Sequence, residues 1–395
     1  MNLRSLKSHA LLCCLLLLAA ATPAKAEKEL TAELKTKLVE AIGHRLERKA
    51  YAFETDFSRW RQLAAERSTE IEAAKTEDEL ARVLGEALDE FGLSHLGIFS
   101  PSTVKLQRVG QRAGVGITIH PLDSGGGLIS YVLDNSPAER CGLQKGDILH
   151  TIDESPLDDI KQLAGDRGQK RTISWMREDQ KMSCEIEYDV FSLSEPSRMY
   201  WLQEDVAVIQ IQSFQYRYYR AAKINRFFKE AKNAKAIILD LRNNRGGLSF
   251  YSRHLASKIS PSSETFALLA QKKHERTAKG HRPQHPLPLS KPYRGKVVVL
   301  VDSLSASAAD IIPAFVSETG RGLVIGQRTS GALQLARSYP LPAGFRIYLP
   351  IAELLTPKGN RLEGTGFKPD VELSLEETIN DEIILQAALA AIEAN

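Results

Sequence analysis

Hydrophobic positions in the first half of the chain follow two different patterns. Across residues 27–92 they recur every three or four positions, starting with Leu30 and Leu34, which predicts a layer of amphipathic helices. Residues 103–190 instead contain short apolar runs separated by Gly and Asp, a pattern typical of a small β-rich domain. The first half is therefore predicted to hold a helical region followed by a β domain.

The second half alternates between apolar runs and helical periodicity. Runs at 206–211, 236–241 and 296–301 are short, continuous and rich in β-branched residues, so we predict buried strands. A basic pattern with helical period lies at 218–231, between the first two runs. This alternation predicts an α/β domain.

The start of the chain has the three-part pattern of an export signal. Basic residues precede the apolar run 10–21, and Ala24-Lys25-Ala26 supplies the small residues that a signal peptidase requires. A membrane anchor is the alternative, but the run is shorter than the roughly 20 residues that span a bilayer. We therefore expect a signal peptide at residues 1–26, no stable membrane insertion, and an exported protein that is periplasmic or secreted.

Composition narrows the class of protein further. The 395 residues are 26% charged and 43% hydrophobic, which fits neither a disordered nor a collagen-like chain. A formal net charge of +3, without a basic stripe, argues against nucleic acid as a partner. Once Cys13 and Cys14 leave with the signal peptide, Cys141 and Cys184 remain. They could pair in an oxidising compartment, but two small buried cysteines are the preferred interpretation.

Two glycine-containing segments stand out in the β-rich part. Segment 113–119 reads Ala-Gly-Val-Gly-Ile-Thr-Ile, and segment 136–149 contains Gly-Leu-Gln-Lys-Gly-Asp-Ile-Leu. Together they resemble a PDZ domain; the alternative is an ordinary glycine turn. Closely spaced glycines let backbone N–H groups converge on a carboxylate, and the strand edge that follows can pair with an extended peptide. The resemblance implies a peptide-binding loop formed by Gly114, Val115, Gly116 and Ile117.

A polar, Pro-rich stretch at 272–292 carries His274, His281 and His285. Their spacing matches no metal-ligand template, and neither a cysteine nor a run of carboxylates accompanies them. The stretch is predicted to be a long surface loop. Neither a metal nor an organic cofactor is expected in this protein.

Two segments carry the chemistry. Residues 240–247 read Asp-Leu-Arg-Asn-Asn-Arg-Gly-Gly at the end of a predicted strand, and residues 299–311 run from another strand into Ser-Ala-Ser-Ala-Ala. Together they resemble the tail-specific, or carboxyl-terminal processing, serine peptidase family, whose members are often exported and often carry a PDZ domain. The resemblance implies Ser307 as the nucleophile. Taken alone, this serine would more simply cap a helix, with Asp310 in capping-box position.

Backbone donors are expected around Ser307. A serine at a helix N-terminus lies close to unpaired N–H groups, and flanking alanines leave room for a substrate backbone. Negative charge that develops on the attacked carbonyl would be held by the N–H of Ala308 together with that of Gly246 or Gly247.

The general base departs from the family pattern. The processing peptidases use a Lys after a Thr-x-Gly turn, but the Thr-Ser-Gly turn of this chain is followed by Ala332. The related tricorn core protease branch uses an adjacent Ser-His pair and a late Glu, which Ser94, His95 and Glu363 resemble. We expect His95 to act as base, with Ser94 and Glu363 orienting its imidazole. Lys358 is a weaker substitute, because its Pro-x-Gly setting predicts an exposed turn.

The resemblance also implies a fold. It is an α/β protease core with a crotonase-like ββα arrangement, an N-terminal helical segment and an inserted β-rich PDZ domain. The expected division is a signal peptide at 1–26, a helical region contributing Ser94 and His95 at 27–102, a PDZ domain at 103–190 and a serine peptidase domain at 191–395.

These expectations combine into an exported serine endopeptidase that cleaves unfolded or extended protein chains. The PDZ groove would recruit these substrate chains, and one form of this hypothesis is that it binds their C-termini. A catalytically silent binding protein that retains the fold is the main alternative, favoured by the missing Lys. An acyl-transfer enzyme of crotonase type rests on fold analogy alone.

Overall fold

A computed structural model describes residues 30–109, 111–122, 124–192, 197–272, 282–285 and 291–394. The predicted signal peptide lies outside these residues. Within them, no helix combines the length and the apolar character needed to cross a membrane. The α-helices are α1 (Ala32–Lys49), α2 (Trp60–Glu66), α3 (Ser68–Ala73), α4 (Glu77–Asp89), α5 (Pro101–Val109), α6 (Pro137–Arg140), α7 (Ala221–Glu230), α8 (Ser249–Ile259), α9 (Ile311–Glu318), α10 (Leu375–Ile379) and α11 (Asp381–Ala394).

The strands divide between the β-rich part and the α/β part of the chain. The first set, with the strand that precedes it, is β1 (Gly97–Phe99), β2 (Gln111–Gly114), β3 (Ile117–Pro121), β4 (Gly127–Val132), β5 (Ile148–Ile152), β6 (Ser155–Pro156), β7 (Lys170–Arg177), β8 (Gln180–Glu187) and β9 (Asp189–Ser192). The second set is β10 (Arg198–Gln203), β11 (Val206–Gln210), β12 (Ala236–Asp240), β13 (Ala267–Ala270), β14 (Arg282–Gln284), β15 (Lys296–Val301), β16 (Leu323–Gly326), β17 (Gln334–Pro340), β18 (Arg346–Leu355) and β19 (Val371–Glu372).

The α/β part is built on a six-stranded sheet in the order β10-β11-β12-β15-β16-β19. Neighbours from β11 to β19 are parallel. Helices α7, α8 and α9 cover one face and α11 covers the other, so β11, β12 and β15 are almost wholly buried. The predicted α/β domain is confirmed. Because the carboxyl ends of parallel strands meet at one edge, the turns after β12 and β15 lie side by side.

The N-terminal helices pack on a second sheet, in which β18 pairs with β1, β13 and β17. Thr76 begins α4 with a capping box, since its side chain accepts the amide of Glu79 and Glu79 accepts the amide of Thr76. Leu38, Ile42 and Leu84 from α1 and α4 are buried with Ile347 and Leu349 of β18. The helical prediction is confirmed, and this packing holds the turn between α4 and β1 against β18.

The β-rich part forms its own sheet, β3-β4-β5-β7-β8, with β6 on β5 and β2 paired to β9. Ile129, Leu149, Ile173 and Trp175 fill its core. Strand β3 lies at the edge of the sheet, so one side of its backbone ladder is not used within the sheet. The prediction of a β domain in this part of the chain is confirmed.

The preference for two unpaired cysteines is wrong. Cys141 and Cys184 form a disulfide, with their Cα atoms 6.0 Å apart. Cys141 caps the C-terminus of α6, which packs against β8, where Cys184 lies. The two cysteines are 43 residues apart in sequence, so only the folding of α6 onto β8 brings them together.

Replacing both cysteines with alanine is expected to lower the free energy of unfolding by about 2 to 4 kcal/mol, because the unfolded chain loses a closed loop. Urea unfolding of the wild type and of the Cys141→Ala/Cys184→Ala variant measures the difference. A thiol reductant should shift the wild-type midpoint and leave that of the variant unchanged. An unshifted wild-type midpoint in reductant would contradict the prediction.

The predicted loop at 272–292 is wrong in one part. Residues Arg282–Gln284 form β14, which pairs with β13, because the free edge of β13 satisfies their backbone groups. His285 follows this strand, and its Nδ1 lies 2.8 Å from the carbonyl oxygen of Glu264. His274 and His281 lie outside the described residues.

Candidate active site

The two motif-bearing turns are joined by hydrogen bonds at the carboxyl edge of the sheet. Asn243, after β12, donates its amide to Asp302 Oδ2 at 2.9 Å. From the turn after β15, Ser305 donates its hydroxyl to the carbonyl of Leu241 at 2.9 Å, and Ala306 donates its amide to the carbonyl of Asn244 at 3.0 Å. These bonds fix the Gly-Gly turn against the segment that carries Ser307.

Ser307 opens a short 3₁₀ helix, Ser307–Ala309, with a left-handed backbone at φ 56°. This conformation is unfavourable for a residue with a side chain and recurs at functional positions. The alternative in which Ser307 is the N-cap of a helix is wrong, because Ala306 occupies the N-cap position. Asp310 accepts the amide of Ala332 at 2.7 Å and also bonds the backbone amide of Ser307. The hydroxyl of Ser307 is therefore available to hydrogen-bond with another side chain.

That partner is His95, which is 212 residues away in sequence. His95 lies with Ser94 in the turn between α4 and β1, and β1 is held by pairing of Gly97 with Tyr348 of β18. His95 Nε2 is 3.2 Å from Ser307 Oγ, and His95 Nδ1 is 2.7 Å from Ser94 Oγ. One imidazole therefore contacts both serine hydroxyls, one at each ring nitrogen.

Glu363 completes the row of polar side chains. Its Oε1 accepts the amide of Ser94 at 3.3 Å, and the Ser94 hydroxyl also bonds to this carboxylate. Its Oε2 accepts the amide of Leu333 at 2.7 Å. Burial raises the pKa of Glu363, and the Ser94 and Leu333 donors oppose that shift. The structure thus brings together all four predicted side chains, Ser307, His95, Ser94 and Glu363.

Burial also sets the protonation of the imidazole. It lowers the pKa of His95 to about 4, well below the usual value near 6.5, because the protonated ring loses its hydration in the protein interior. The imidazole is therefore neutral at pH 7. A neutral ring with Nδ1–H donated to Ser94 leaves the Nε2 lone pair facing the Ser307 hydroxyl.

The position of the missing lysine is occupied by backbone contacts. Ala332 is buried, and its amide is bound by the fully buried carboxylate of Asp310. Burial raises the pKa of Asp310 to about 6. Lys358, the substitute base considered from the sequence, is exposed in a turn where its amide binds Glu318. Neither position offers a side-chain amine to Ser307.

The amide groups near Ser307 are not equivalent. Gly246 donates its N–H to Asn244 Oδ1 at 2.9 Å, so this donor is already used. Its carbonyl accepts the amide of Phe214, and Leu248 donates to the Phe214 carbonyl, both at 2.8 Å. Phe214 thus bonds to the residues on either side of Gly247. Because alternate residues of a paired strand direct their backbone groups to opposite sides, the Gly247 amide faces away from Phe214. Ala308 lies in the first turn of the 3₁₀ helix, where amides lack helical acceptors.

Replacing Gly246 with alanine is expected to lower kcat/KM for peptide cleavage by about 10²- to 10³-fold, because the added Cβ would displace Ser307 and the Ala308 amide, a predicted oxyanion donor. A Cβ at this position would lie 2.6 Å from Ser307 Cβ and 2.9 Å from the Ala308 nitrogen, at a backbone φ of +86°. Gly320→Ala is the matched control, because Gly320 has a φ of +65° and open space around it. Equal kinetics for the two variants on one peptide would contradict the prediction.

The β-rich domain touches both turns. His120 of β3 places Nδ1 2.9 Å from Ser303 Oγ, and Ser130 of β4 donates its hydroxyl to Asn243 Oδ1 at 3.1 Å. Burial, reinforced by the positive charge of Arg245, lowers the pKa of His120 to about 4. These contacts were not foreseen, because nothing in the local sequence marks His120 or Ser130.

An ion-pair cluster lies behind the Gly-Gly turn. Arg242 binds Asp240 through two nitrogens, at 3.0 and 2.8 Å, and binds Asp381 at 2.9 Å. The other oxygen of Asp381 accepts Lys145 Nζ from the β-rich domain at 3.0 Å. Arg242 was visible as part of the Arg-Asn-Asn motif, whereas Asp381 was missed because it sits at the start of a distant helix, α11.

The predicted peptide-binding loop connects β2 to β3. Gly114 and Gly116 have φ of 155° and 85°, and a Cβ on Gly116 would collide with Ser136. The carbonyls of Val115 and Gly116 accept the amides of Ala138 and Leu133, both at 2.9 Å. The side chain of Val115 is buried in the domain core, so only its backbone can meet a ligand. Ile117, at the start of edge strand β3, is half-buried.

Comparisons with known proteins agree with this architecture. Residues 205–373 match the peptidase family S41, and residues 103–170 match the PDZ domain. A probable CtpA-like serine protease of Staphylococcus epidermidis is 27% identical over 252 residues, which are 62% of this chain and 50% of that protein. The chain thus spans about half the length of the curated relatives it matches.

Two solved structures share the fold. A photosystem II D1 C-terminal processing protease superposes with a TM-score of 0.62 at 19% identity, covering 90% of this chain and 97% of that one. The tricorn protease superposes with a TM-score of 0.50 at 17% identity, covering 92% of this chain and 37% of its own. The chain is thus similar to peptidase family S41 over residues 205–373 and to the PDZ domain family over residues 103–170.

Proposed function

We propose that this protein is a serine endopeptidase in which Ser307 is the nucleophile and His95 the general base. One observation carries the proposal: His95 Nε2 lies 3.2 Å from Ser307 Oγ while Nδ1 lies 2.7 Å from Ser94 Oγ. A base within hydrogen-bonding reach of a serine, and itself oriented by a third group, is the requirement for nucleophilic catalysis. Glu363 extends this row by accepting the Ser94 hydroxyl.

In the first step Ser307 Oγ attacks the carbonyl carbon of the scissile peptide bond. The hydroxyl proton moves to His95 Nε2, and the carbonyl electron pair moves onto oxygen. The N–H groups of Gly247 and Ala308 stabilise this oxyanion, because the Gly246 amide is engaged by Asn244. The Ser94 oxygen accepts a hydrogen bond from Nδ1–H of the imidazolium, and the Ser94 hydroxyl donates a hydrogen bond to the carboxylate of Glu363.

The tetrahedral intermediate then collapses. The carbonyl re-forms, the C–N bond breaks, and the imidazolium donates its proton to the leaving amine, which leaves an ester on Ser307. A water attacks this ester while His95 Nε2 accepts one of its protons. Breaking the Ser307 Oγ–C bond releases a carboxylic acid product and returns the proton from His95 to Ser307. No oxidant or metal enters the balance of this reaction.

The PDZ domain supplies the substrate in this proposal. The loop at Gly114, Val115, Gly116 and Ile117 would receive a carboxylate and edge strand β3 would pair with an extended chain. The substrates in this proposal are unfolded or extended proteins, recruited by their C-termini. We also propose the domain division at 27–102, 103–190 and 191–395, and export directed by residues 1–26 to the periplasm or the exterior.

Labelling with a serine-directed phosphonate, followed by mass spectrometry, tests the proposal. The full chain should be modified at Ser307 alone and should cut an unfolded protein. Pre-treated enzyme should lose cleavage in proportion to the labelling. Cleavage that continues after complete labelling, or peptide binding without labelling or cleavage, would refute the peptidase and support a silent binding protein.

A further inference from the structure

Basic residues recur at every third position along α7 and the segments that flank it. We call six of them the basic stripe: Arg217, Arg220, Lys223, Arg226, Lys229 and Lys232. Glu230 is the one acidic residue between positions 217 and 232, so this segment has a net charge of +5, whereas the whole chain has +3. The rest of the chain is therefore net acidic, and positive charge is concentrated in this one segment.

Folding places the helical members of the basic stripe on the outer side of α7. In a helix, residues three apart are neighbours on the surface, so Arg226 and Lys229 lie on the side opposite Ile224 and Phe228, which are buried. Five members of the basic stripe are exposed, and Lys223 is half-buried. The expectation that the chain lacks a basic stripe is therefore wrong, because the helical turn groups residues that the sequence spaces apart.

Little negative charge offsets the basic stripe. Glu230 lies 3.8 Å from Arg226, but both side chains are more than half exposed, and an exposed pair of this kind contributes little energy. The neighbouring helix α8 contains basic residues and no acidic one. Lys235 continues the three-residue spacing but is left out of the stripe, because its amide bonds to the carbonyl of Asp205 and an acidic residue therefore lies beside it. The basic stripe thus keeps most of its positive charge available to an anionic partner.

A second basic segment touches the stripe. Arg217 Nη2 donates to the carbonyl of Arg108 at 2.5 Å. Arg108 is in the last turn of α5, Lys105 is one turn earlier, and both are exposed. Tyr216, which precedes Arg217, is 76% exposed, and tyrosine is enriched where proteins meet the membrane–water interface. The positively charged surface thus extends from α7 to α5 and includes an exposed aromatic ring.

The shape of this surface favours a flat partner. Helix α7 lies beside α8 in the helical layer on the six-stranded sheet, and its apolar side is buried in the core. A helix held within a layer is not free to enter the major groove of DNA, which is about 12 Å wide and admits a protruding helix. A membrane surface instead contacts the whole exposed side of α7, which is about 15 Å long for its 10 residues. Anionic phospholipids present negative charge in such a plane.

We propose that the basic stripe binds the headgroups of anionic phospholipids and holds this protein on a membrane surface without inserting into it. Clusters of about four to eight Lys and Arg residues on a helix bind anionic lipids in this way. The apolar side of α7 remains in the core, so attraction between charges supplies the binding energy. The inference does not depend on the proposed peptidase function, because no member of the basic stripe belongs to the catalytic row.

Sedimentation with lipid vesicles tests this surface. Wild type should bind vesicles of equal parts phosphatidylcholine and phosphatidylglycerol more strongly than vesicles of phosphatidylcholine alone, which also report any binding by the apolar run 10–21. In the Arg226→Gln/Lys229→Gln/Lys232→Gln variant the excess partition coefficient on anionic vesicles should fall by about 100-fold, since each basic residue contributes about fivefold. Gln is nearly as good a helix former as Lys and Arg, so α7 should remain folded.

A control variant separates the basic stripe from total charge. Arg61→Gln/Lys75→Gln/Lys181→Gln removes the same number of charges from exposed positions outside α7 and should bind anionic vesicles as wild type does. Both triple variants should keep the wild-type urea midpoint, so that a change in binding reports the surface and not the fold.

Two smaller changes keep the test decisive. Arg220→Gln alters only the N-cap of α7, where the side chain makes no capping bond, and should lower the partition coefficient by about fivefold. Raising the salt concentration from about 0.1 M to about 1 M shortens the Debye length from about 10 Å to about 3 Å and should release wild type from the vesicles.

Several results would overturn the proposal. Equal binding of wild type to neutral and anionic vesicles would remove the attraction to anionic lipid. Unchanged binding in the α7 variants, or an equal loss of binding in the control variant, would remove the assignment to the basic stripe. Displacement of wild type from the vesicles by a DNA duplex at equal phosphate concentration would make the stripe a nucleic-acid surface instead.

Discussion

Replacing Ser307 with alanine is expected to lower kcat/KM for peptide cleavage by about 10⁴- to 10⁶-fold, because no other nucleophile replaces a serine that acts with its base as a unit. The side chain is half-buried, and its hydroxyl contacts the neighbouring His95 rather than the core. Alanine meets the same left-handed backbone, so the free energy of unfolding should change by less than about 1 kcal/mol. Single-turnover cleavage of one peptide and a urea unfolding curve measure the two quantities.

A matched serine separates chemistry from folding in this experiment. Ser317→Ala removes a hydroxyl from α9 that donates to Asp370 at 2.9 Å, away from the two turns. This control should retain cleavage and phosphonate labelling. Retention of full activity in Ser307→Ala would place the nucleophile elsewhere, and a large loss of stability would assign Ser307 a structural role.

Replacing His95 with alanine should cost about 10⁴-fold or more in kcat, because the Ser307 proton then has no acceptor within reach. Lys358→Ala should leave kcat unchanged, since that side chain is exposed in a turn. The opposite pattern, in which Lys358→Ala inactivates and His95→Ala does not, would show that a lysine serves as base despite the substitution at Ala332.

The pH profile of kcat/KM gives a second test of His95. Burial lowers its pKa to about 4, and only the neutral imidazole can accept a proton. The part of the profile that His95 sets should therefore remain constant down to about pH 5 and fall as pH drops through about 4. A lysine base would instead lose activity as pH falls below a much higher pKa, near 10 in the absence of perturbation.

Asp310 is another buried acid in this region, and burial raises its pKa to about 6. Its ionised form accepts the Ala332 amide, and protonation below about pH 6 weakens this hydrogen bond, so we expect a second decline in activity near pH 6 in addition to the one that His95 causes. Asp310→Asn cannot titrate and should remove any decline near pH 6 while keeping the one near 4. A wild-type profile whose acidic limb lies near 6.5 and persists in Asp310→Asn would contradict the lowered pKa of the buried His95.

Local patterns accounted for the elements of the fold. Continuous β-branched runs identified β11, β12 and β15 because strands covered on both faces must be apolar along their whole length. Residues 27–92 show helical periodicity because α1 and α4 bury one face against β18 and leave the other in water. The short strand β14 was missed for the converse reason. Its backbone pairing depends on the edge of β13, and its polar, Pro-containing sequence carries no strand signal.

Contacts between residues far apart in sequence could be predicted only where both residues matched motifs of the family that the chain resembles. Ser94, His95, Ser307 and Glu363 were identified in this way, although up to 269 residues separate them. Nothing comparable marked the Cys141–Cys184 disulfide, since pairing depends on the distance between Cα atoms after folding. The hydrogen bond from the Gly246 amide to Asn244 could not be predicted either, because the sequence shows which residues carry donors but not which donors are bonded in the folded protein.

The order of residues along the chain was sufficient to predict the N-terminal helices, the strands β11, β12 and β15, the β-rich PDZ domain, the α/β domain and the four side chains of the candidate site. These follow from hydrophobic period and from short motifs, which are local properties. The neutral state of His95, the direction of the Gly247 amide, and the contacts of His120 and Lys145 required the folded chain. Burial and hydrogen-bond direction are properties of packed neighbours, and segments far apart in sequence become neighbours only when the sheets and helices assemble.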